Sequence, residues 1–302
     1  MSLKNEALKE LWIQIAKGDQ DYYESAIKPK GASISKDIYY AQTLDKMQAL
    51  EIIRPSGSKK ILPVIVHIHG GGWIYGHKDS YYKYYCMELS KRGYAVLNIN
   101  YRLAFDHPYP ACVQDIFKVF EWMSLNAKAE KLDISNVYLV GDSAGAHLAA
   151  LCAEIHLSSD LQKRYEVKAS SITIRALGLS CGLYDIERHL KDDKDPMTLS
   201  MVKTVFHRND FRRHPLYKLS SVSTLLDPHF PPAYVLSSKS DIPLICETQA
   251  FIQELKALKL TYKARILPKK LKRYHVFNIK LIYPESIEVM DEMVSFFQSF
   301  TS

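Results

Sequence analysis

The chain is 302 residues long, 47% hydrophobic, and carries a formal net charge of +7. That length and apolar content suffice for a large buried core, which excludes a low-complexity or disordered protein, and apolar runs such as residues 61–68 are far too short to span a bilayer. The positive charge is spread out, with local runs only at residues 208–214 and 269–273, so these read as solvated loops and no nucleic-acid partner is expected.

In chain order, residues 3–16 place Leu8, Leu11, Trp12 and Ile15 on one face, the spacing of an amphipathic helix that must cover something. The same stretch carries Lys4, Glu6, Lys9 and Glu10 where a secretory signal would need an apolar block. Five cysteines, odd in number and scattered, fit reduced thiols, so a cytoplasmic location is expected. From about residue 48 onward strand-like runs alternate with helical ones, the pattern of a mostly parallel α/β sheet in one domain.

Residues 63–69, rich in β-branched side chains, read as a buried strand that runs into His69-Gly70-Gly71-Gly72-Trp73. Three consecutive glycines leave backbone N–H groups uncovered, as an oxyanion hole requires; a flexible glycine turn is the alternative. Tyr81, Tyr82, Tyr84 and Tyr85 then read as the amphipathic face of a helix, with stacking on a sugar or aryl ring as the other option. Residues 94–100 form another buried strand. Pro110 suits the first turn of a helix whose buried face is Val113, Ile116, Phe117 and Phe120 and which ends near Glu121 and Trp122.

The apolar run at residues 137–140 leads into Gly141-Asp142-Ser143-Ala144-Gly145 and a helix over 144–155. A strand, a sharp turn with serine at its apex and a helix present a nucleophile beside the helix N-terminus, where free N–H groups favour negative charge. On its own the pattern also fits a tight connection whose serine caps the helix. With the glycine loop, however, the chain resembles the hormone-sensitive-lipase-like branch of the α/β-hydrolases. Asn100-Tyr101-Arg102-Leu103-Ala104 and His107-Pro108-Tyr109-Pro110-Ala111 lie between the two motifs and are similar to that family's corresponding segment.

The resemblance implies an α/β-hydrolase fold: a mostly parallel central sheet, helices on both faces, and a helical cap. Residues 1–302 would form a single catalytic domain, with the cap drawn from about 1–30 and about 183–230. A base and an acid should follow the serine in the order Ser143, Asp241, His275. Asp241 follows the strand-like residues 233–236; His275 follows the run 261–267 and precedes a last amphipathic helix over 285–300. Asp227, before Pro228, reads as a turn former. His67 and His147 read as packed side chains and His69 as a partner of the glycine loop, with zinc at His67 and His69 as a minor alternative.

Three departures from the family pattern stand out. Ser237-Ser238-Lys239-Ser240 replaces an Asp-Pro pair before the acid, Val276 replaces a glycine after the histidine, and Ala146 replaces the elbow's second glycine. The expected activity is that of a serine carboxylesterase for short acyl chains, with Gly71, Gly72 and Ala144 as oxyanion donors and no metal or cofactor. Its partner would be a small-molecule ester, and the oligomeric state, including a homodimer, is left open. The same machinery serves amidases such as arylformamidases and sugar acetyl or feruloyl esterases. The fold also serves as a non-catalytic ligand receptor, usually after losing a triad member.

Overall fold

The structure is a computed structural model that describes residues 3–191 and 196–301, with side chains from residue 9 onward. Leu8, together with Lys4 and Glu6, therefore lies outside the described side chains. Among the described residues nine strands form one sheet: β1 (Ala32–Ile34), β2 (Ile38–Tyr39), β3 (Ala49–Pro55), β4 (Leu62–Ile68), β5 (Ala95–Ile99), β6 (Leu132–Asp142), β7 (Ile174–Ser180), β8 (Ala233–Ser238) and β9 (Tyr262–Leu267). The order is β1-β3-β5-β4-β6-β7-β8-β9, with β2 also paired to β3. Pairings from β5 through β9 are parallel, and the pairings of β3 with β1, β2 and β5 are antiparallel, so that β3 runs against the other strands.

The helices are α1 (Leu3–Ser25), α2 (Tyr81–Ser90), α3 (Ala111–Asn126), α4 (Ala144–Leu157), α5 (Ser159–Tyr165), α6 (Ile186–His189), α7 (Pro196–Val205), α8 (Ile245–Ala257) and α9 (Pro284–Gln298). Side chains of a strand alternate between faces, and β4 shows the result. Val64, Val66 and Ile68 join a core with α3, α4 and α8, whereas Ile65 joins a second core with α2 and α9. A strand buried on both sides must be apolar throughout, which is why β4 to β8 read as continuous hydrophobic runs. The chain thus has the α/β-hydrolase fold foreseen from its motifs.

Two features depart from the sequence reading. Helix α1 runs on to Ser25, nine residues beyond the predicted end at Ala16, and β1 and β2 precede the alternating pattern that begins near residue 48. Among the described residues, no helix is long and apolar enough to cross a membrane.

Candidate active site

Ser143 joins β6 to α4 with φ 52° and ψ −120°, a conformation that L-residues rarely adopt and that holds the side chain out of the turn. Its N–H donates to the Ser180 carbonyl of β7 at 2.8 Å. The flanking glycines are dictated by space. A Cβ on Gly145 would lie 2.0 Å from the Ile68 carbonyl oxygen, and one on Gly141 would lie 2.4 Å from the Gly145 carbonyl. Both clashes are with backbone, so neither side chain could be accommodated by a rotamer change.

The loop after β9 brings His275 to this serine. Its Nε2 stands 3.0 Å from Ser143 Oγ, and its Nδ1 stands 2.9 Å from Asp241 Oδ1. A carboxylate can only accept, so the neutral imidazole carries its proton on Nδ1 and its Nε2 accepts the serine hydroxyl. Asp241, just past β8, is completely buried, and its second oxygen accepts the Ser237 hydroxyl at 3.2 Å. Val276, which stands where the resembling family has glycine, takes a left-handed φ of 50°.

One further neighbour had no signal in the sequence. Cys181, at the end of β7 and itself left-handed at φ 52°, puts its sulfur within 4.8 Å of ligand atoms of Asp241 and His275. Burial, then the charge of Asp241, pushes its thiol well up, so it stays protonated and serves as a donor to the carboxylate. Asp142, inside the elbow motif, was assigned no role by sequence; its Oδ2 accepts from Tyr82 at 3.1 Å, and the Tyr82 oxygen in turn accepts from Gly70 N–H at 3.1 Å. Burial raises the Asp142 carboxyl to about 7, against the opposing pull of Tyr82 and His275. These bonds tie the elbow to the glycine loop.

The loop itself is held from below. Gly71 (φ 108°) and Gly72 (φ 58°) are left-handed, and the Gly71 carbonyl accepts from the N–H groups of Ile74 and Tyr75. Tyr101 donates to the His69 carbonyl at 2.9 Å, Ala104 N–H donates to the Trp73 carbonyl at 2.9 Å, and Asp115 anchors Arg102 through both oxygens. The segment at residues 100–104 therefore shapes the loop. Among the described residues no hydrogen bond takes up the N–H of Gly71, Gly72 or Ala144, and all three line one cavity of about 260 Å³ with Ser143 and His275.

The cavity lies outside the C-terminal ends of the parallel strands, where open α/β sheets bind ligands. Trp12 and Ile15 of α1 and Thr198 and Met201 of α7 form its outer wall. Trp12 stacks on Tyr75 at 5.2 Å between ring centres, and a Cβ on Gly72 would meet Met201 Sδ at 2.6 Å and Trp12 at 3.4 Å. Those two helices close directly over the glycine loop.

His67, His69 and His147 are packed. His147 accepts the Trp73 indole N–H at 3.1 Å on Nδ1, which leaves its Nε2–H to donate to the Ser220 carbonyl at 2.7 Å. His69 stacks on Tyr101 and places Nδ1 2.8 Å from the Gly70 carbonyl, while His67 packs against Tyr82 and Tyr85. Neither belongs to a group of three metal-ligand residues among the described ones. Of the two groups that do occur, Cys181, Asp241 and His275 are engaged as above, and Asp37, Glu51 and Asp79 surround the ammonium groups of Lys78 and Lys83. Asp227 accepts the His229 N–H and makes the turn before β8.

Residues 50–255 match the BD-FAE family model. A 94-residue segment is 36% identical to carboxylesterase NlhH of Mycobacterium tuberculosis, covering 31% of this chain and 30% of that protein, so the chain matches under a third of that curated relative's length. Among solved structures, esterase B of Lactobacillus rhamnosis superposes with a TM-score of 0.90 at 28% identity, over 98% of this chain and 95% of that one. The same esterase inhibited by a C4-C4 tributyrin phosphonate superposes with a TM-score of 0.89, also at 28% identity, over the same shares of the two chains.

Proposed function

The chain belongs to the BD-FAE family of α/β-hydrolases, and from that premise we propose that it is a serine carboxylesterase acting on esters of short acyl chains. The observation that carries the reading is the hydrogen-bonded line Ser143 Oγ to His275 Nε2 and His275 Nδ1 to Asp241. His275 takes the serine proton as Oγ attacks the ester carbonyl, and the developing negative oxygen receives the N–H groups of Gly71, Gly72 and Ala144. Asp241 holds the imidazole in its productive tautomer and steadies its positive form. His275 then gives its proton to the leaving alcohol. A water deprotonated by the same imidazole releases the acid from the acyl-serine.

The cavity of about 260 Å³ supports a short acyl group, as does inhibition of the Lactobacillus esterase by a tributyrin phosphonate. The cap reading, residues 1–30 and 183–230 over one catalytic domain, is supported by α1 and α7 lining the cavity. The five cysteines, all free, support a cytoplasmic location. A panel of p-nitrophenyl esters from acetate to decanoate tests the proposal: turnover should be greatest at the short end and vanish after labelling by a fluorophosphonate. Turnover that survives complete labelling would refute the serine mechanism.

The aromatic wall of Trp12, Tyr75 and Tyr81 favours a second reading, hydrolysis of an aryl formamide by the same residues. Rates on p-nitrophenyl acetate and an N-formyl aryl amide separate the two.

A further inference from the structure

Apart from Asp142, Ser143, His275 and Thr198, the charged and polar groups lining the cavity gather at one place on α1. Asp19 faces the cavity together with Tyr75, Tyr81 and Lys280. Tyr75 donates its hydroxyl to Asp19 Oδ2 at 3.0 Å, and Tyr81 reaches the same oxygen at 3.4 Å. Both phenols therefore use one carboxylate oxygen, and among the described residues Oδ1 receives no hydrogen bond. Burial raises the Asp19 pKa while the phenols and the charge of Lys280 pull it down. A partly desolvated carboxylate of this kind gains from one more donor.

The chemistry of that donor follows from the balance of charge. Lys280 already offsets the carboxylate, so a substrate ammonium would meet a cation as well as an anion, whereas a hydroxyl can donate to Asp19 and accept without a net charge to desolvate. Pinning α1 to the body needs only the two phenols; it does not need an unspent acceptor on the cavity wall. We propose that Asp19, with Tyr75 and Lys280 beside it, is a hydroxyl-recognition subsite, and that the favoured ester carries a free hydroxyl group away from the ester linkage. The inference rests on the esterase reading and specifies its substrate class.

Two matched pairs of esters test it and separate the two sides of the linkage. The first pair, 1-butyrylglycerol against propyl butyrate, places the hydroxyls on the alcohol. The second, ethyl 3-hydroxybutyrate against ethyl butyrate, places one on the acyl chain. The expected result is a preference of about tenfold or more in kcat/KM for the hydroxylated member of one pair, the scale of a hydrogen bond to a charged group. In Asp19→Ala that ratio should fall to within about twofold of unity. Asp19→Asn, which keeps the shape and one acceptor oxygen, should retain part of it.

A ratio near one in both pairs for the unaltered protein, or a preference that survives Asp19→Ala, overturns the subsite. Melting temperatures show whether α1 stays seated; should Asp19→Ala fail to fold, the unaltered protein's ratio and Asp19→Asn decide alone. Absence of turnover on all four esters refutes the esterase reading and this inference with it, an outcome distinct from parity between paired esters.

Discussion

Ser237 donates its hydroxyl to Oδ2 of Asp241, 3.2 Å away, and so occupies the carboxylate oxygen that His275 does not use. The acid is thereby fixed on both sides, and its orientation no longer depends on the histidine alone. Asp241→Asn keeps the volume but can offer an N–H where His275 needs an acceptor, so kcat should drop about 10⁴-fold. Ser237→Ala removes one bond to the carboxylate and should lower kcat only about fivefold to tenfold. Steady-state kinetics on p-nitrophenyl acetate measures both, and equal losses would contradict the arrangement.

Ser143→Ala and His275→Ala should each reduce turnover by several orders of magnitude, and the double variant should lose little more, because the two groups act as a unit. Fluorophosphonate labelling followed by peptide mapping should find Ser143 alone. A His275→Ala variant that is labelled at the unaltered rate would mean that a different base activates the serine.

Two glycines should fail in different ways. Gly145→Ala forces a Cβ onto the Ile68 carbonyl at 2.0 Å, which pushes α4 away from β4 and should cost stability on the order of 3 kcal/mol in urea melts. Gly71→Ala brings its Cβ within 2.2 Å of the Tyr75 carbonyl oxygen at a φ of 108°, so the glycine loop must shift. Its expected signature is a kcat loss of about 10²-fold to 10³-fold with KM little changed, the usual cost of losing one oxyanion donor.

Buried ionisable groups set an acid limit on stability. Burial lowers His67 and His147 to about 4 and His69 to about 3, while in the unfolded chain each titrates near 6.5. Between pH 6.5 and about 4 the unfolded chain binds protons that the folded state refuses, so these groups make stability fall as pH falls. Asp142 and Glu154 act oppositely: burial raises both to about 7, so the folded state holds protons that the unfolded chain has released. Their contribution is lost as pH rises from about 4 to 7. Asp142→Asn removes one opposing group and should make the denaturation midpoint fall more steeply on acidification. His147→Gln, which can still accept from Trp73 and donate to Ser220, should make it fall less steeply; urea melts from pH 4 to 7 measure both slopes.

What could be read in advance was whatever a short segment carries by itself. The elbow at Ser143 and the glycine loop are local patterns, and β4 to β8 announce themselves because strands covered on both faces are apolar along their length. Ser143, Asp241 and His275 were singled out by their places after strand-like runs, and they meet in the structure. Cys181 and Ser237 were not: Cys181 acquires its partner only when β7 and β8 lie side by side, and Ser237 meets Asp241 four residues on only through the turn that ends β8. The end of α1 was misjudged for a related reason. The apolar spacing that marks the helix stops near Ala16, yet Asp19 gains Tyr75 and Tyr81 as distant donors and the helix continues to Ser25. Strands β1 and β2, three and two residues long, exist only as additions to the edge of β3 and have no pattern of their own.

Helix α1 lies outside residues 50–255, the stretch that matches the family model, and yet it supplies Trp12, Ile15 and Asp19 to the cavity. The groups around Ser143 stand on strand ends that this helix does not build. Substitutions at those three positions would therefore be expected to alter what the cavity admits more than they alter the sheet, with Trp12 the exception because it also stacks on Tyr75 beside the glycine loop.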